Sequence, residues 1–210
     1  KDSSSLILDK EGSLPSNMVR MPAKNTPMLI VGLESNGNKD VPSFLMDKYE
    51  VSNKEYKSFM NAGGYSNKKF WNHIVYQNGK EISLETAMAL FIDKTGRPGP
   101  ANWEAGTYPD GQESFPVTGI SWYEAAAYAV YAQKQLPTVY HWSVAAQTGS
   151  TQYIVALSNF NGKNATAVGS NEGYSSFGIY DIAGNVREWC YNENEKKGLH
   201  YILGGGWNDP

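Results

Sequence analysis

The three histidines of this chain lie too far apart in the sequence to form a recognisable metal or catalytic motif. They are His73, His141 and His200, and no His-x-His or His-x-x-x-His pair is present. Zinc and non-haem iron sites commonly use histidines at such short spacings. The sequence therefore gives no support for an iron centre, and His141 is predicted to be a packed residue near the start of a helix.

The single cysteine, Cys190, also has no partner for chemistry. No disulfide can form within this chain, so cysteine usage does not indicate a redox compartment. A lone thiol that follows an aromatic residue is usually a buried structural group, and we predict that role for Cys190.

Two further groups of residues suggest chemistry that their context does not support. Asp93, Asp110 and Glu113 could supply the carboxylate pair of a glycoside hydrolase, but they lie in a loop-rich segment that fixes no separation between them. Residues 204–206 are three glycines, yet they lack the Lys-Ser/Thr pair and the following helix of a phosphate-binding loop. We predict that these glycines allow close strand packing beneath aromatic side chains.

The composition indicates one loop-rich domain. Aromatic residues make up 13% of the 210 residues, and the formal net charge is −3. This balance gives no reason to expect binding to nucleic acid or to an anionic membrane. No apolar run approaches the roughly 18 to 20 residues of a membrane span. Because the first residue is Lys1 rather than methionine, we expect a processed or trimmed product.

The elements that must position these residues follow a polar, serine-rich tail at residues 1–16. Short strands are predicted at residues 18–21, 28–31 and 44–51 from their apolar content and partial alternation. A segment at about residues 65–115 is rich in glycine, proline and asparagine. It is predicted to be an insertion with one helix of its own, at residues 83–93.

Three helices are predicted from their N-terminal capping residues. Ser52 and Glu55 form a capping box, in which the hydroxyl and the carboxylate satisfy free N–H groups of the first turn. A second capping box opens at Ser121, before an alanine-rich helix. Thr138 is the predicted N-cap of a third helix, at residues 139–147.

Five motifs resemble, in order, the signature of the formylglycine-generating enzyme family, also called the sulfatase-modifying-factor family. They are YEVSNKEY at residues 49–56, PVTGISW at 116–122, LPTVYHW at 136–142, SNF at 158–160 and FGIYDIAGNVREW at 177–189, the last followed by YILGGGW at 201–207. NAGGY at residues 61–65 and TGRPGP at 95–100 are similar to a subgroup that is fused to bacterial serine/threonine kinases.

The resemblance implies an α+β fold of the formylglycine-generating-enzyme type, a complex variant of the C-type lectin fold with few regular elements and long ordered loops. The domain is placed at residues 17–210. Because the family's closing Gly-Phe-Arg segment is missing from the sequence, we expect the domain to be truncated at its C-terminal end.

The resemblance also implies a calcium site. Family members often hold their loops with Ca²⁺, which takes about six to eight oxygen ligands. On this chain the ligands would be the carboxylates of Asp181 and Glu188 and the backbone carbonyls of Gly184 and Val186. The turn at Gly184 and Asn185 is able to fold the segment back so that both carboxylates face one point. The alternative is that Asp181 and Glu188 are ordinary turn-capping and surface carboxylates.

A second calcium site of the family would use the side chain of Asn159 and the carbonyl of Phe160. Its other half is an acidic loop, and residues 162–166 contain no carboxylate. The resemblance therefore supports only the first half of this second site.

Catalysis in the family depends on copper held by two cysteines, the first of which lies just beyond the strand that matches residues 204–207. Asp209 stands at the position of this first cysteine, and the chain ends at Pro210, before the second. A thiolate pair selects Cu(I), for which a carboxylate is a poor substitute. We therefore expect neither copper binding nor formylglycine-generating activity.

Two classes of function remain. The favoured one is a non-catalytic recognition or scaffold module that binds a protein, peptide or glycan through exposed aromatic residues at Trp71, Trp103 and Tyr108, although the same residues could instead cover the core. The alternative is a sulfatase-modifying factor that oxidises a cysteine of a target sulfatase to formylglycine, or another family oxidase, with its reactive residues beyond this fragment. We expect a bacterial source and favour the periplasm or cell envelope.

Overall fold

The protein combines short antiparallel hairpins with a few helices and long ordered loops. A computed structural model describes residues 9–27, 29–30, 32–33 and 37–210. The strands in this part of the chain are β1 Met18–Met21, β2 Lys24–Thr26, β3 Lys39–Val41, β4 Phe44–Asp47, β5 Val75–Gln77, β6 Lys80–Ile82, β7 Glu188–Glu193 and β8 His200–Leu203. The α-helices are α1 Asn53–Asn61, α2 Leu84–Met88, α3 Trp122–Tyr131, α4 Val139–Ala146 and α5 Gln152–Val155.

The strands pair as four two-stranded antiparallel hairpins: β1 with β4, β2 with β3, β5 with β6, and β7 with β8. In the last of these, Trp189 faces Ile202 and Glu193 faces His200, with a bulge between the two pairs. A bulge increases the local twist of a strand and turns its side chains. The predicted α+β architecture with few regular elements is what the structure contains.

Three helices begin at the predicted capping residues. Ser52, Ser121 and Thr138 each accept the N–H of the third helical residue, and each of these third residues returns a hydrogen bond to the N-cap backbone. In α4 the returning group is the imidazole of His141, since Thr138 donates its N–H to His141 Nδ1 at 3.3 Å. The ring of His141 also packs on Phe44, with centroids 4.5 Å apart, so the prediction of a packed histidine is confirmed.

The strand predictions hold in part. The strand at Met18–Met21 is confirmed, and the one predicted at residues 44–51 is limited to Phe44–Asp47. The strand predicted at residues 28–31 is not found at Leu29 and Ile30, while Met28 and Val31 lie outside the described residues. Pro27 has no N–H to donate to a ladder, which is consistent with β2 ending at Thr26.

The helix predicted at residues 83–93 is shorter than expected and spans Leu84–Met88. Beyond it, the chain turns around Asp93, which is buried. The carboxylate of Asp93 accepts the N–H groups of Thr95, Arg97 and Gly106 at 2.8, 3.0 and 2.6 Å. A loop whose amides are satisfied by a side chain in this way competes with continuation of the helix.

The core consists of three clusters of buried side chains. One joins α4, β1 and the segment before β7, one lies between α1 and α3, and one covers the other side of α3 against the β5–β6 hairpin. The first contains Cys190, whose side chain is fully buried, as predicted. The clusters hold α3 and α4 in place beside the loops that follow α5.

The N-terminal part of the chain is described only in part. Residues 1–8 of the predicted tail lie outside the described residues, and Asp9 pairs with Arg20 on β1 at 2.9 Å. Within the described part of the chain, no helix has both the length and the apolar character needed to cross a membrane.

Candidate functional site

The segment at residues 181–186 folds into a sharp turn because three of its residues adopt left-handed backbone conformations. The φ angles of Asp181, Gly184 and Asn185 are 55°, 81° and 55°. A Cβ on Gly184 would lie 2.7 Å from the carbonyl oxygen of Asn159, so only glycine fits there. The predicted turn at Gly184 and Asn185 is confirmed.

Asn185 joins three loops from the centre of this turn. Its side chain is fully buried. Its Oδ1 accepts hydrogen bonds from Thr166 N at 2.8 Å and from Asn159 Nδ2 at 3.1 Å, and its Nδ2 donates to Glu50 Oε2 at 2.6 Å. A buried amide with all its groups bonded fixes the relative positions of the segments that it joins.

The carboxylate of Asp181 is buried and anchors the loop before the turn. Its Oδ2 accepts the N–H of Gly169 at 2.7 Å, and its Oδ1 accepts Nδ2 of Asn171 at 2.8 Å. In this arrangement Asp181 serves as the turn-capping group that the sequence left open as an alternative to a calcium ligand.

Glu188 is the first residue of β7, and its side chain is held by an indole. Its Oε2 accepts the N–H of Trp142 at 2.6 Å. Desolvation raises the pKa of Glu188 to about 8, against the lowering effect of the Trp142 hydrogen bond and with a further contribution from the charge of Asp181. A cation bound beside this carboxyl group would stabilise its charged form, which burial disfavours.

Three oxygen atoms, two from this turn and one from Glu188 on β7, lie within 4 Å of one point beside Gly204. A Cβ built on Gly204 would lie 3.4 Å from the carbonyl oxygen of Ile182, 3.6 Å from Glu188 Oε2 and 3.9 Å from the carbonyl oxygen of Val186. Of the four predicted calcium ligands, the structure thus brings Glu188 and Val186 to a common point. The carbonyl of Ile182, which the sequence did not suggest, joins them.

The donor set suits a hard cation. Ca²⁺ is held by carboxylate and carbonyl oxygens, and these are the groups at the Gly204 point. Across the described ranges, no group of three or more His, Cys, Asp and Glu side chains is placed to hold a metal ion. A cation at this point would therefore depend on backbone carbonyls as well as on the carboxylate of Glu188.

The second predicted calcium site remains a prediction. Asn159 Nδ2 donates to the carbonyl of Asn164 at 3.1 Å, and the carbonyl of Asn159 accepts the N–H of Asn185 at 3.0 Å. These bonds tie Asn159 and the neighbouring Phe160 to the turn at Asn185. The structure therefore gives Asn159 a role in fixing the position of this loop.

The carboxylate of Asp209 has one partner in its own loop and one in the segment before β7. Its Oδ1 pairs with the guanidinium of Arg187, and its Oδ2 accepts the N–H of Gly206 at 2.8 Å. The carbonyl of Asp209 accepts the N–H of Asn161 at 2.8 Å. Asp209 thus closes the loop after β8 and fastens it to the segment before β7.

A cavity of about 900 Å³ opens next to this turn. Its walls come from β4, residues 116–120, residues 132–137 between α3 and α4, and residues 206–208 after β8. Glu50, Asn185 and Glu188 line one side of it, and Ile202 lies in the wall formed by the β7–β8 hairpin. Pockets of this size with mostly apolar walls commonly hold ligands.

The aromatic residues that were predicted to form an exposed ligand surface are buried or half-buried. Trp103 is only 1% exposed and packs in the cluster between α1 and α3, so its assignment to an exposed surface is wrong. Trp71 and Tyr108 are half-buried and pack against the same cluster. Burial of their large rings stabilises the core, which is the alternative that the sequence left open.

The other candidate catalytic residues have structural roles or lie on exposed loops. The carboxylate of Asp93 is hydrogen-bonded within its own turn, and Asp110 and Glu113 are exposed on loops. His73 and His200 are brought together on Trp122, with His200 stacked at 3.6 Å between centroids and His73 at 4.9 Å in an edge contact. Sequence reasoning missed this pairing because the two histidines are far apart in the chain.

Sequence reasoning also missed Glu50, Trp142 and Arg187. Glu50 and Trp142 lie within motifs that carried the resemblance, at residues 49–56 and 136–142, so their positions in those motifs were the available signal. Their partners in the turn lie far along the chain, since Trp142 bonds Glu188 and Glu50 bonds Asn185 across separations of 46 and 135 residues.

Comparison with known proteins shows the family of this chain. A family model described as sulfatase-modifying factor enzyme 1-like domain matches residues 14–210. The serine/threonine-protein kinase pkn1 of Chlamydia caviae is 28% identical over 156 residues, which cover 70% of this chain and 22% of the kinase. The formylglycine-generating enzyme of Mus musculus is 26% identical over 216 residues, which cover 88% of this chain and 58% of the enzyme. The chain thus spans less than two thirds of the length of these relatives.

The fold has a counterpart among solved structures. The crystal structure of CarF matches with a TM-score of 0.60 at 19% identity, covering 93% of this chain and 88% of CarF. At this level of identity the likeness concerns the fold alone. The expected fold, with its few regular elements and long loops, is thereby confirmed.

Proposed function

Because the chain belongs to the family of sulfatase-modifying factor enzyme 1-like domains, we propose that it is a non-catalytic recognition domain that binds an extended peptide segment in the cavity beside the Asn185 turn. We further propose that Ca²⁺ bound at the Gly204 point holds this turn in place.

The engagement of Asp209 is the observation that carries the non-catalytic assignment. The family resemblance places a copper-binding cysteine at this position, and a carboxylate is a poor ligand for Cu(I). Asp209 also forms an ion pair with Arg187 and accepts the N–H of Gly206, so its carboxylate oxygens already have partners. In this chain the position serves to close a loop.

An uncharged peptide fits the cavity better than a charged ligand does. The walls include the apolar side chains of Val117, Ile120, Leu136 and Ile202. Among the lining residues, Lys134 pairs with Asp47 at 2.6 Å, and Arg187 pairs with Asp209, so these charges already have partners within the protein. An extended segment with apolar side chains would place those side chains against the walls.

The calcium part of the proposal rests on the donor geometry. Glu188 Oε2 and the carbonyl oxygens of Ile182 and Val186 surround one point, and Asp181 and Gly184 lie in the same turn. Ca²⁺ bound there would stabilise the turn by holding oxygens that otherwise repel one another. The residues of the turn also line the peptide cavity, so order in the turn preserves the shape of the cavity.

A selection from a phage-displayed library of random peptides tests the recognition function. The discriminating variant is Ile202→Glu, which places a charge in the cavity wall at a side chain that is already 43% exposed. Its matched control is Leu199→Glu, a 53% exposed residue that precedes β8 and lies outside the cavity lining. Selected peptides should bind Ile202→Glu at least about tenfold more weakly, a loss of about 1.4 kcal/mol, and should bind Leu199→Glu normally.

Two results would overturn the proposal. One is a selection that enriches no peptide, or only peptides that bind Ile202→Glu as well as the unaltered protein. The other is copper-dependent oxidation of the cysteine in a sulfatase-type peptide by the unaltered chain, which would establish the oxidase alternative.

A further inference from the structure

Glu50 contacts the turn of the proposed calcium site from a distant part of the sequence. It lies between β4 and α1, and both of its carboxylate oxygens are used by the turn. Oε2 accepts Asn185 Nδ2 at 2.6 Å, and Oε1 accepts the N–H of Val186 at 3.1 Å. Neither the predicted ligand set nor the three oxygens at the Gly204 point include Glu50.

These two bonds fix the path of the chain from the turn to Glu188, where two of the proposed calcium ligands lie. The N–H of Val186 and the carbonyl of Asn185 belong to one rigid peptide plane. Glu50 holds the N–H of this plane, while the carbonyl of Asn185 accepts the N–H of Trp207 at 2.8 Å. Because both sides of this peptide plane are held, the chain that follows it begins from a fixed position. That chain carries the carbonyl of Val186 and the side chain of Glu188.

The carboxylates around the turn are not paired with positively charged side chains of the described residues, and this favours a bound cation. Glu50, Asp181 and Glu188 interact electrostatically, and their hydrogen-bond donors within the described residues are amides and one indole. Arg187 is close in sequence but pairs with Asp209. Desolvation, followed by the charges of Glu188 and Asp181, raises the pKa of Glu50 well above its ordinary value. A divalent ion would offset this repulsion.

We propose that Glu50 is a positioning residue of the calcium site, which orients the carbonyl of Val186 and the carboxylate of Glu188 without binding the ion itself. This inference rests on the calcium part of the proposed function. Residues that orient metal ligands in other proteins typically contribute about 10- to 100-fold to metal affinity, and we expect the same range here.

The test measures Ca²⁺ affinity by isothermal titration calorimetry on metal-free protein, comparing the unaltered chain with Glu50→Gln. The glutamine keeps one oxygen for Val186 but turns an amide toward Asn185, which is a donor itself. Ca²⁺ binding should weaken about 10- to 100-fold. Glu55→Gln is the matched control: it removes a carboxylate from the same region and keeps a capping-box residue, so its affinity for Ca²⁺ should be unchanged.

Terbium luminescence gives a second readout that a general loss of stability does not imitate. Tb³⁺ replaces Ca²⁺ at oxygen sites, and Trp142 bonds Glu188, so its indole lies next to the proposed ion. Excitation of tryptophan should produce Tb³⁺ emission in the unaltered chain, with a binding curve shifted to higher Tb³⁺ in Glu50→Gln. Should Glu50→Gln fail to fold, Glu50→Asp keeps the charge, shortens the reach and should show a smaller shift in the same direction.

The outcomes separate the two proposals. If the unaltered chain binds Ca²⁺ and the Glu50 variants bind it equally well, the positioning role is wrong and the calcium site stands. If the unaltered chain binds neither Ca²⁺ nor Tb³⁺, the calcium site is wrong and the role of Glu50 is wrong with it. The peptide selection described above is independent of both results.

Discussion

Asp209 forms an ion pair with Arg187, 22 residues earlier in the chain, and also accepts the N–H of Gly206. This relationship joins the loop after β8 to the segment that enters β7. It also gives Asp209, where the family resemblance predicts the first copper ligand to be missing, a structural role.

Substitution of Asp209 by cysteine should therefore weaken the fold without producing an oxidase. Asp209→Cys removes a partly exposed ion pair and one hydrogen bond to a backbone N–H, with an expected loss of roughly 1 kcal/mol in the free energy of unfolding. Urea denaturation measures this loss. The variant should show no copper-dependent oxidation of a cysteine peptide, since a lone thiolate does not form the two-thiolate site that selects Cu(I).

The close approach of two loops at Gly184 should be visible in a pair of alanine variants. Gly184 and Gly178 have nearly equal φ angles of 81° and 80°. A Cβ added at Gly184 would lie 2.7 Å from the carbonyl oxygen of Asn159, whereas a Cβ added at Gly178 would have no other atom within 4 Å. Gly178→Ala should cost about 1 to 2 kcal/mol through backbone strain alone. Gly184→Ala should cost a further ~1 to 3 kcal/mol from the clash. Equal losses in urea denaturation would show that the two loops separate at little cost.

The capping box of α4 should make stability depend on pH through His141. Its Nδ1 accepts the N–H of Thr138, and desolvation lowers the pKa of His141 below its ordinary value. A histidine with a lowered folded-state pKa contributes stability that is fully present above its unfolded pKa of about 6.5. That contribution is lost as the pH falls, because protonation converts Nδ1 into a donor and places a positive charge at a helix N-terminus.

His141→Gln tests this dependence, because glutamine at the same position keeps a capping-box acceptor that does not titrate. The difference in the free energy of unfolding between neutral and mildly acidic pH should be smaller in His141→Gln than in the unaltered chain. His73 and His200 remain in both proteins and serve as the internal reference. An unchanged pH dependence would mean that His141 does not contribute to it.

The turn around Asp93 predicts a second, more acidic transition. Desolvation alone would raise the pKa of Asp93, but four hydrogen bonds to its carboxylate, from Thr95, Arg97 and Gly106, outweigh it and lower the pKa to about 2. The stability that this carboxylate contributes is present above its unfolded pKa and is lost as the pH falls toward about 2. Asp93→Asn leaves one oxygen for these donors and should cost roughly 1 to 3 kcal/mol at neutral pH. The loss should shrink as the pH falls in acid denaturation experiments.

Local chemistry in the sequence was sufficient to predict much of the scaffold. The capping boxes at Ser52 and Ser121 and the N-cap at Thr138 depend on residues three positions apart, so their geometry is encoded locally. The turn at Gly184 and Asn185 was predictable for the same reason, because both residues tolerate a left-handed backbone.

Contacts between distant residues were beyond local patterns. The side chain of Trp103 is covered by α1 and α3, and nothing in its own glycine- and proline-rich segment indicates that burial. The bond between Glu50 and Asn185 spans 135 residues, and the packing of His73 and His200 on Trp122 brings together three separate segments. Such contacts are determined by how the loops pack around the core, which a pattern within one segment does not record.

The most direct test of the central claim is a thermal melt of metal-free protein with and without Ca²⁺, repeated for Gly204→Ala. The alanine Cβ would occupy the point where Glu188, Val186 and Ile182 place their oxygens. Ca²⁺ should raise the melting temperature of the unaltered chain, with a stabilisation of about 2.7 kcal/mol at about one hundred times its Kd, and should leave Gly204→Ala unchanged. No shift of the unaltered chain with Ca²⁺, or an equal shift of both proteins, would contradict a calcium-held turn at this site.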